Sequence, residues 1–600
     1  MKRGSTAPIV LAVLAAAALA YGHQAGGTMA FTVSMPRPAD HVYHIAFRGE
    51  GLAGPIWDFK MPAWTPGYYG LFDFAKNVRN FRAEDGAGRP LSWERTTANA
   101  WRVAADSSPV VTVTYDVLAA STFVAQSYLG EDRGYIVPGS LFMYVAGSIA
   151  HPVTVTIIPN PSWSTIATGL EPDASAPHAY AAPDFDVLYD SPILMGNLEA
   201  LPAFDIRGVR HEFIGYKPAV PDPVKFMRDL KAALEAGIAV TGDIPYRHYT
   251  FLAIGPVQGG IEHLNSTTFG FNGAGLSTRA GEIRMLNFLA HEYFHLYNVK
   301  RIRPIALGPF DYDRENLTNM LWVSEGFTSY YEVLMLRRAG LTTDAEILDD
   351  LGRCIAGTEN NTGHLFQSAT ESSLETWSQG PFGRRGEGLR KTISYYDKGA
   401  ALGWLLDLAI RRETRNARSL DTVMRTLYET YYKNLGRGWT DAEFRAACES
   451  AAGAPLPEIF EYASTTREVD YAKYLGYAGL ELEAPRELSE AFWGGLVEDK
   501  AGKLVLAAVE ENSPARRAGL AVGDEIKSVD ETPIDAKALI AALAARKPGD
   551  RITIAFSRSG QDRSADVLLE HKMERSFKIR PIASPDALQA AILAGWLKGR

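Results

Sequence analysis

Two cysteines in 600 residues, Cys354 and Cys448, are too few for a disulfide framework or a cysteine-based metal site. Whether they bond to each other or stand as two small buried side chains is left open by the sequence. A basic excess is also missing. The chain has 61 Lys and Arg against 70 Asp and Glu, a net charge of −9, without the basic stripe that nucleic-acid binding needs. No run approaches the roughly 20 apolar residues that span a bilayer. The one short apolar run, Ile9 to Ala20, follows Lys2 and Arg3 and ends in Ala18-Leu19-Ala20. Such a run reads as a secretory signal over residues 1–20, cleaved before Tyr21. It predicts a periplasmic or secreted protein with no membrane span after cleavage. Low-complexity linkers and solenoid periods are absent too.

What is present is the composition of a globular protein, 46% apolar and 22% charged, with length for about three or four domains. Residues 21–210 carry alternating, β-branched stretches such as "VTVTYDVLA" (111–119) and "HPVTVTIIP" (151–159), cut by turns such as "DGAGRP". They predict an all-β domain of sandwich type. From residue 211 to 480 the texture changes to α+β. "RHYTFLAIG" (247–255) reads as a strand, and "GEIRMLNFLAHEYFHLYNV" has apolar residues at helical spacing. "LTNMLWVSEGFTSYYEVLMLRRAG" is a further helix, closed by Arg337, Arg338 and Gly340. Residues 488–570 form a third unit of strands around two short helices, and 571–600 a tail ending in a helix.

The chemistry concentrates in "LAHEYFHLYNV" (289–299), which contains H-E-x-x-H. On a helix, positions i and i+4 share a face. His291 and His295 can therefore aim two imidazoles at one ion, with Glu292 beside them. Zinc suits nitrogen ligands in a four-coordinate site that keeps one position for water. A third ligand must come from elsewhere, and "LWVSEGFTSYYE" offers Glu325 and Glu332. Glu325 lies among Trp322, Val323 and Phe327, where a carboxylate is costly unless it is paired or binds metal. Glu332 has a helix edge on which to solvate, so Glu325 is the chosen ligand. Zinc brings the pKa of a bound water toward neutrality, and Glu292 is placed to take its proton as the water attacks a carbonyl. The oxyanion needs a donor as well, and "SYYDKG" (394–399) offers Tyr395 and Tyr396.

"HEYFHLYNVKRIRP" followed by "LWVSEGFTSYYE" resembles the glycyl aminopeptidase family of gluzincin zinc metallopeptidases, distant relatives of aminopeptidase N. "MPAWTPGYYGLFDFAKNVRNF" (61–81) is similar to the family's N-terminal β-domain signature. "GGIEHLNST" (259–267) resembles its exopeptidase loop, "SYYDKGAALGWLLDL" its Y-x-K-G segment, and "NSPARRAGLAVGDEI" a PDZ domain. The resemblance implies a thermolysin-like catalytic domain over 211–480 and a C-terminal PDZ domain over 488–570. It implies one zinc ion on His291, His295 and Glu325, with Glu292 as general base. The stabilising tyrosine falls on Tyr396, with Tyr395 the weaker choice. Glu262, in the loop opened by Gly259 and Gly260, falls where relatives hold the substrate's α-amino group. The implied activity is removal of small N-terminal residues, Gly or Ala, from peptides with a free N-terminus. An endopeptidase on the same scaffold, or an exported non-enzymatic binding protein, are the alternatives.

Two departures from the family pattern stand out. The stretch between His295 and Glu325 is longer than in aminopeptidase N. "KRIRPIALGPFDYDREN" is expected to loop out, with Arg301 or Arg303 shaping the cleft or pairing with nearby acids. In the PDZ unit the residue after Asp530 is Glu531 where glycine is usual, and the carboxylate-binding loop reads "WGGL" (493–496). Binding of a peptide C-terminus there is accordingly the weakest of the expected partnerships.

Overall fold

The alternation in "VTVTYDVLA" becomes the strand Val110–Leu118, with Val111, Val113, Tyr115 and Val117 buried on one face. The computed structural model describes residues 27–599, apart from 53, 107, 381–390, 484–485 and 575, so the expected signal lies outside the described residues. Val110–Leu118 belongs to a seven-stranded sheet with Thr28–Ser34 near its centre. Thr28–Ser34 pairs parallel with Val153–Ile158 (Met29 opposite Val153) and antiparallel with Val42–Glu50. Two four-stranded sheets complete the N-terminal β domain. Phe31, Phe47, Phe59, Trp101 and Phe185 fill the space between layers.

The next domain opens on a sheet ordered Glu199–Ala200, Val209–Gly215, His248–Ala253, Ser266–Phe269, Gly260–Glu262. Its middle strands are parallel, and Gly260–Glu262 is added antiparallel at the edge, with Glu262 opposite Thr267. Helices follow almost without interruption to Tyr477. This order, sheet and then helical bundle, is the α+β arrangement expected from the sequence.

The segment between the two histidine and glutamate elements does not stand away as a free loop. Phe310 and Tyr312 pack on Trp64 of the β domain, ring centroids 5.0 and 5.6 Å apart, and the Trp64 indole donates to the Asp311 carbonyl at 2.8 Å. The insert is part of the joint between the first two domains.

The PDZ sheet is built from Gly495–Lys500, Lys503–Val509, Glu525–Val529, Arg551–Arg558 and Gln561–Leu568, with the helix Ala536–Ala544. Asp530 and Glu531 both have positive φ, +48° and +63°, in the turn between Glu525–Val529 and Thr532–Pro533. That left-handed backbone is why glycine is the usual residue after Asp530. The unit is a looped-out insertion, because strands on either side of it pair: Leu480–Leu482 with Ile579–Pro581, and Arg486–Phe492 with Glu570–Glu574. The last helix, Ala587–Lys598, returns to the helical domain. Trp596 stacks on Trp404 at 4.7 Å, and its indole donates to the Tyr330 hydroxyl at 3.0 Å. Ile592, Trp596 and Leu597 thereby join the catalytic core. Among the described residues no helix is long and apolar enough to cross a membrane. Both cysteines are unbonded.

Candidate active site

The motif helix runs from Arg279 to Phe294, and its N-cap Thr278 accepts from the Gly281 N–H. Leu286, Leu289, Ala290, Tyr293 and Phe294 bury one side. His295 ends the helix with φ −59° and ψ −24°, still helical backbone, so the i,i+4 relation to His291 holds. The two Nε2 atoms are 3.0 Å apart. Glu325 Oε2 lies 3.1 Å from His295 Nε2 and 3.6 Å from His291 Nε2. Among the described residues this trio is the one cluster with ligand atoms gathered closely enough to hold a metal ion.

Glu325 does not sit inside a continuous helix, as the sequence suggests. It is the joint between Leu321–Ser324 and Gly326–Arg338. The glycine after it has a packing reason. A Cβ on Gly326 would lie 2.4 Å from the Gly399 Cα, and one on Gly399 2.2 Å from the Trp322 carbonyl oxygen. The glycines of "SEG" and "DKG" let two helices touch backbone to backbone, which brings Tyr396 beside the histidines.

Each of the three side chains is held from behind. His291 Nδ1 is 2.6 Å from Glu332 Oε2, and His295 Nδ1 is 2.8 Å from the Asn298 carbonyl. Asn298 in turn donates to the Val323 and Ser324 carbonyls, tying the motif helix to the Glu325 joint. The Tyr69 hydroxyl, from the β domain, donates to Glu325 Oε1 at 3.2 Å. Glu325 Oε2 is buried and has no hydrogen-bond partner. An orphaned carboxylate oxygen facing two imidazole nitrogens, each fixed through its other nitrogen, is the donor set of a zinc site with its outer shell. The residues fit the ion.

The field points the same way. Burial alone would raise the Glu325 pKa, but His295 and His291 hold it well below the usual carboxylate range. Burial opposes charge on His291, yet Glu325 and Glu332 draw it well above its ordinary pKa. Burial pushes Glu292 up to about 7, against the pull of His291 and His295. Such a pocket favours a cation and leaves Glu292 poised to exchange a proton near neutrality.

A cleft of about 1190 Å³ opens on this cluster, lined by His291, Glu292 and Tyr396, by Gly259 and Gly260, and by Tyr69. The Tyr396 ring stacks 6.0 Å from His291. Tyr395 instead turns its hydroxyl to Thr376 at 2.9 Å, in the core. Gly259 has φ +90°, and a Cβ on Gly260 would stand 2.5 Å from the Phe288 ring and 2.8 Å from Glu292 Oε1. Glu262 is 5% exposed at the end of the same edge strand. It is not a free carboxylate: Lys300 Nζ lies 3.4 Å from its Oε1. Arg301 departs from both expectations, neither lining the cleft nor meeting an acid. Its guanidinium donates to the Leu296, Leu264 and Pro245 carbonyls. Arg303 lies over the Phe310 ring at 5.9 Å, also away from the cleft lining. The sequence reading missed Tyr69, Lys300 and Asp190, and missed the use of Glu332. The "PGYYG" signature was the one available signal, for Tyr69.

The fold and this site define a zinc metallopeptidase. Residues 30–197 match the family model described as the peptidase M61 N-terminal domain, 284–402 the M61 glycyl aminopeptidase, and 491–569 a PDZ domain. The chain therefore carries both domains of the M61 glycyl aminopeptidase family, with a PDZ domain after them. Its fold is shared with an aminopeptidase N family protein from Idiomarina loihiensis, 24% identical at a TM-score of 0.84 over 95% of this chain and 100% of that one. An M1 zinc metallopeptidase from Deinococcus radiodurans is more remote, 14% identical at a TM-score of 0.45 over 74% of this chain and 96% of that one. A Neisseria meningitidis protein whose name describes a zinc metalloprotease is 31% identical over 119 residues. That match spans 20% of this chain and only 23% of the relative.

Proposed function

We propose that the protein is an exported zinc aminopeptidase that removes small N-terminal residues from peptides. The observation that carries this reading is the edge strand Gly260–Glu262, which sets Glu262 two residues beyond the glycine packed on Glu292. A carboxylate at that place fixes a free α-ammonium, and with it the scissile bond, at one residue's distance from the catalytic glutamate. Zinc bound by His291, His295 and Glu325 supplies an acidified water and polarises the carbonyl. Glu292 accepts the proton as the water attacks and delivers it to the leaving amine. The Tyr396 hydroxyl donates to the oxygen that gains charge. Tyr69 holds one oxygen of Glu325 so that the other faces the histidines. Gly67, with φ +86°, lets the β domain close on this strand, since a Cβ there would stand 2.3 Å from Ile261 and 3.1 Å from Glu262. The signal-like residues 1–20 support export.

A cleavage profile over a peptide library tests this reading. Free N-terminal Gly and Ala peptides are cut, N-acetylated ones are spared, and a zinc chelator abolishes the cutting. Internal cleavage of acetylated peptides at equal rates would establish an endopeptidase instead.

A further inference from the structure

Glu262 is embedded in a buried charge network that the proposed function does not itself explain. Lys300 Nζ sits 2.8 Å from Asp190 Oδ1 and 3.4 Å from Glu262 Oε1, and its side chain is 9% exposed. Asp190, from the β domain, is 6% exposed in its side chain. Its Oδ2 accepts the Leu264 N–H at 2.8 Å, and its Oδ1 lies 3.1 Å from His263 Nδ1. Asp190 thus grips the loop just after Glu262, while Lys300 reaches the same loop from the motif-helix side.

Lys300 is also aimed at a cost. Its N–H donates to the His295 carbonyl at 3.0 Å, which locks the turn out of the motif helix. The residue before it, Val299, has φ +136°. A β-branched residue at positive φ is strained, and such strain persists where the surroundings over-determine it, commonly at functional sites.

Lys300 is the shared partner of two buried carboxylates, Asp190 from the β domain and Glu262 from the edge strand, which meet on its ammonium. Burial holds the neighbouring His263 below its ordinary pKa. Removing Lys300 would leave both carboxylates buried without that partner, which is costly.

We propose that Lys300, braced by Asp190, is the positioning residue for the α-ammonium anchor. It fixes the Glu262 carboxylate at the end of the edge strand, two residues beyond the cleft-lining Gly260, in the place where it meets one free amine. This rests on the aminopeptidase reading and deepens it.

The test compares two inhibitors that differ only in the amine, glycine hydroxamate and acetohydroxamate, on the zinc-loaded enzyme. Wild type is expected to prefer the amine-bearing compound. In Lys300→Met that preference falls at least about 30-fold, as for truncation of a buried charge partner, while the acetohydroxamate Ki stays constant. Lys300→Arg retains most of the preference, and Asp190→Asn, which weakens the brace on Lys300 and on the Leu264 N–H, lowers it. Equal weakening of both compounds, with the ratio kept, would show a merely structural lysine and overturn the proposal. If Lys300→Met does not fold, Asp190→Asn alone decides, an unchanged ratio overturning it. Failure of wild type to prefer the amine would instead sink the aminopeptidase reading.

Discussion

Replacing Glu332 by glutamine separates a ligand from a ligand's support. Glu332 Oε2 is 2.6 Å from His291 Nδ1, while Glu325 Oε2 faces both Nε2 atoms. Outer-shell partners of metal-bound histidines are worth about 10- to 100-fold in metal affinity, or about 1.4–2.7 kcal/mol. The Glu332 side chain is 24% exposed, so water screens part of its charge. Glutamine also keeps an acceptor for the imidazole N–H. Glu332→Gln is therefore placed near the lower end, about 10-fold, and Glu332→Ala nearer the upper end. Competition for zinc against a chromogenic chelator reads the affinity directly, without any substrate. Glu325→Ala should lose several kcal/mol of binding, since it removes a ligand outright. If the Glu332 variants lost more affinity than Glu325→Ala, the assignment of ligand and support would be inverted. If both Glu332 variants matched wild type, the hydrogen bond would carry no metal affinity.

Gly260→Ala puts a methyl 2.8 Å from Glu292 Oε1, so kcat should drop at least about a hundredfold while zinc stays bound; normal turnover would show that the strand has room to move. His211 lies in the sheet beneath the motif helix, with Nε2 2.8 Å from the Tyr246 hydroxyl and Nδ1 2.9 Å from the Val209 carbonyl. Burial lowers its pKa from 6.5 to about 4. The unfolded chain takes up this proton below pH 6.5 and the folded chain only near 4. Stability is whole above 6.5 and is lost between 6.5 and 4, by up to about 3 kcal/mol. His211→Gln should flatten that part of the pH dependence in urea melts, and an unchanged slope would refute the assignment. Joining Glu483 to Lys578 by a short turn removes the PDZ unit but keeps the Leu480–Leu482 and Ile579–Pro581 ladder. The shortened chain should keep its melting transition and its activity on a glycyl anilide; collapse of either would mean that the PDZ unit supports the catalytic domain.

The parts of the site legible in the sequence are those written in local spacing. H-E-x-x-H fixes two imidazoles on one helical face whatever the rest of the fold does, and an apolar setting marks Glu325 as a buried carboxylate. The period of two in "VTVTYDVLA" and the helical period around His291 likewise come from neighbours in the chain. What escaped depends on residues far apart. Tyr69 and Glu325 are separated by 256 positions, Asp190 and Lys300 by 110. Arg301 shows the same limit, since its partners are backbone carbonyls, which no residue type announces. The last helix read as a tail because its dock, Trp404 and Tyr330, lies on helices nearly two hundred residues or more upstream.

The long-range contacts of Glu325, Glu262 and Lys300 have one origin in common, the β domain. Tyr69 restrains Glu325, Gly67 covers Glu262, and Asp190 compensates Lys300. The insert after His295 clamps the same domain through Trp64 and Tyr312. A catalytic domain without the β domain would keep both histidines and Glu292 on their helix. It would also expose a lysine placed on strained backbone with half its partners gone, and a ligand carboxylate with both oxygens free to turn. The motif helix carries both histidines and Glu292. On the proposed reading, the choice of which bond is cut is built across the domain joint, where Tyr69 and Asp190 of the first domain meet Glu325 and Lys300.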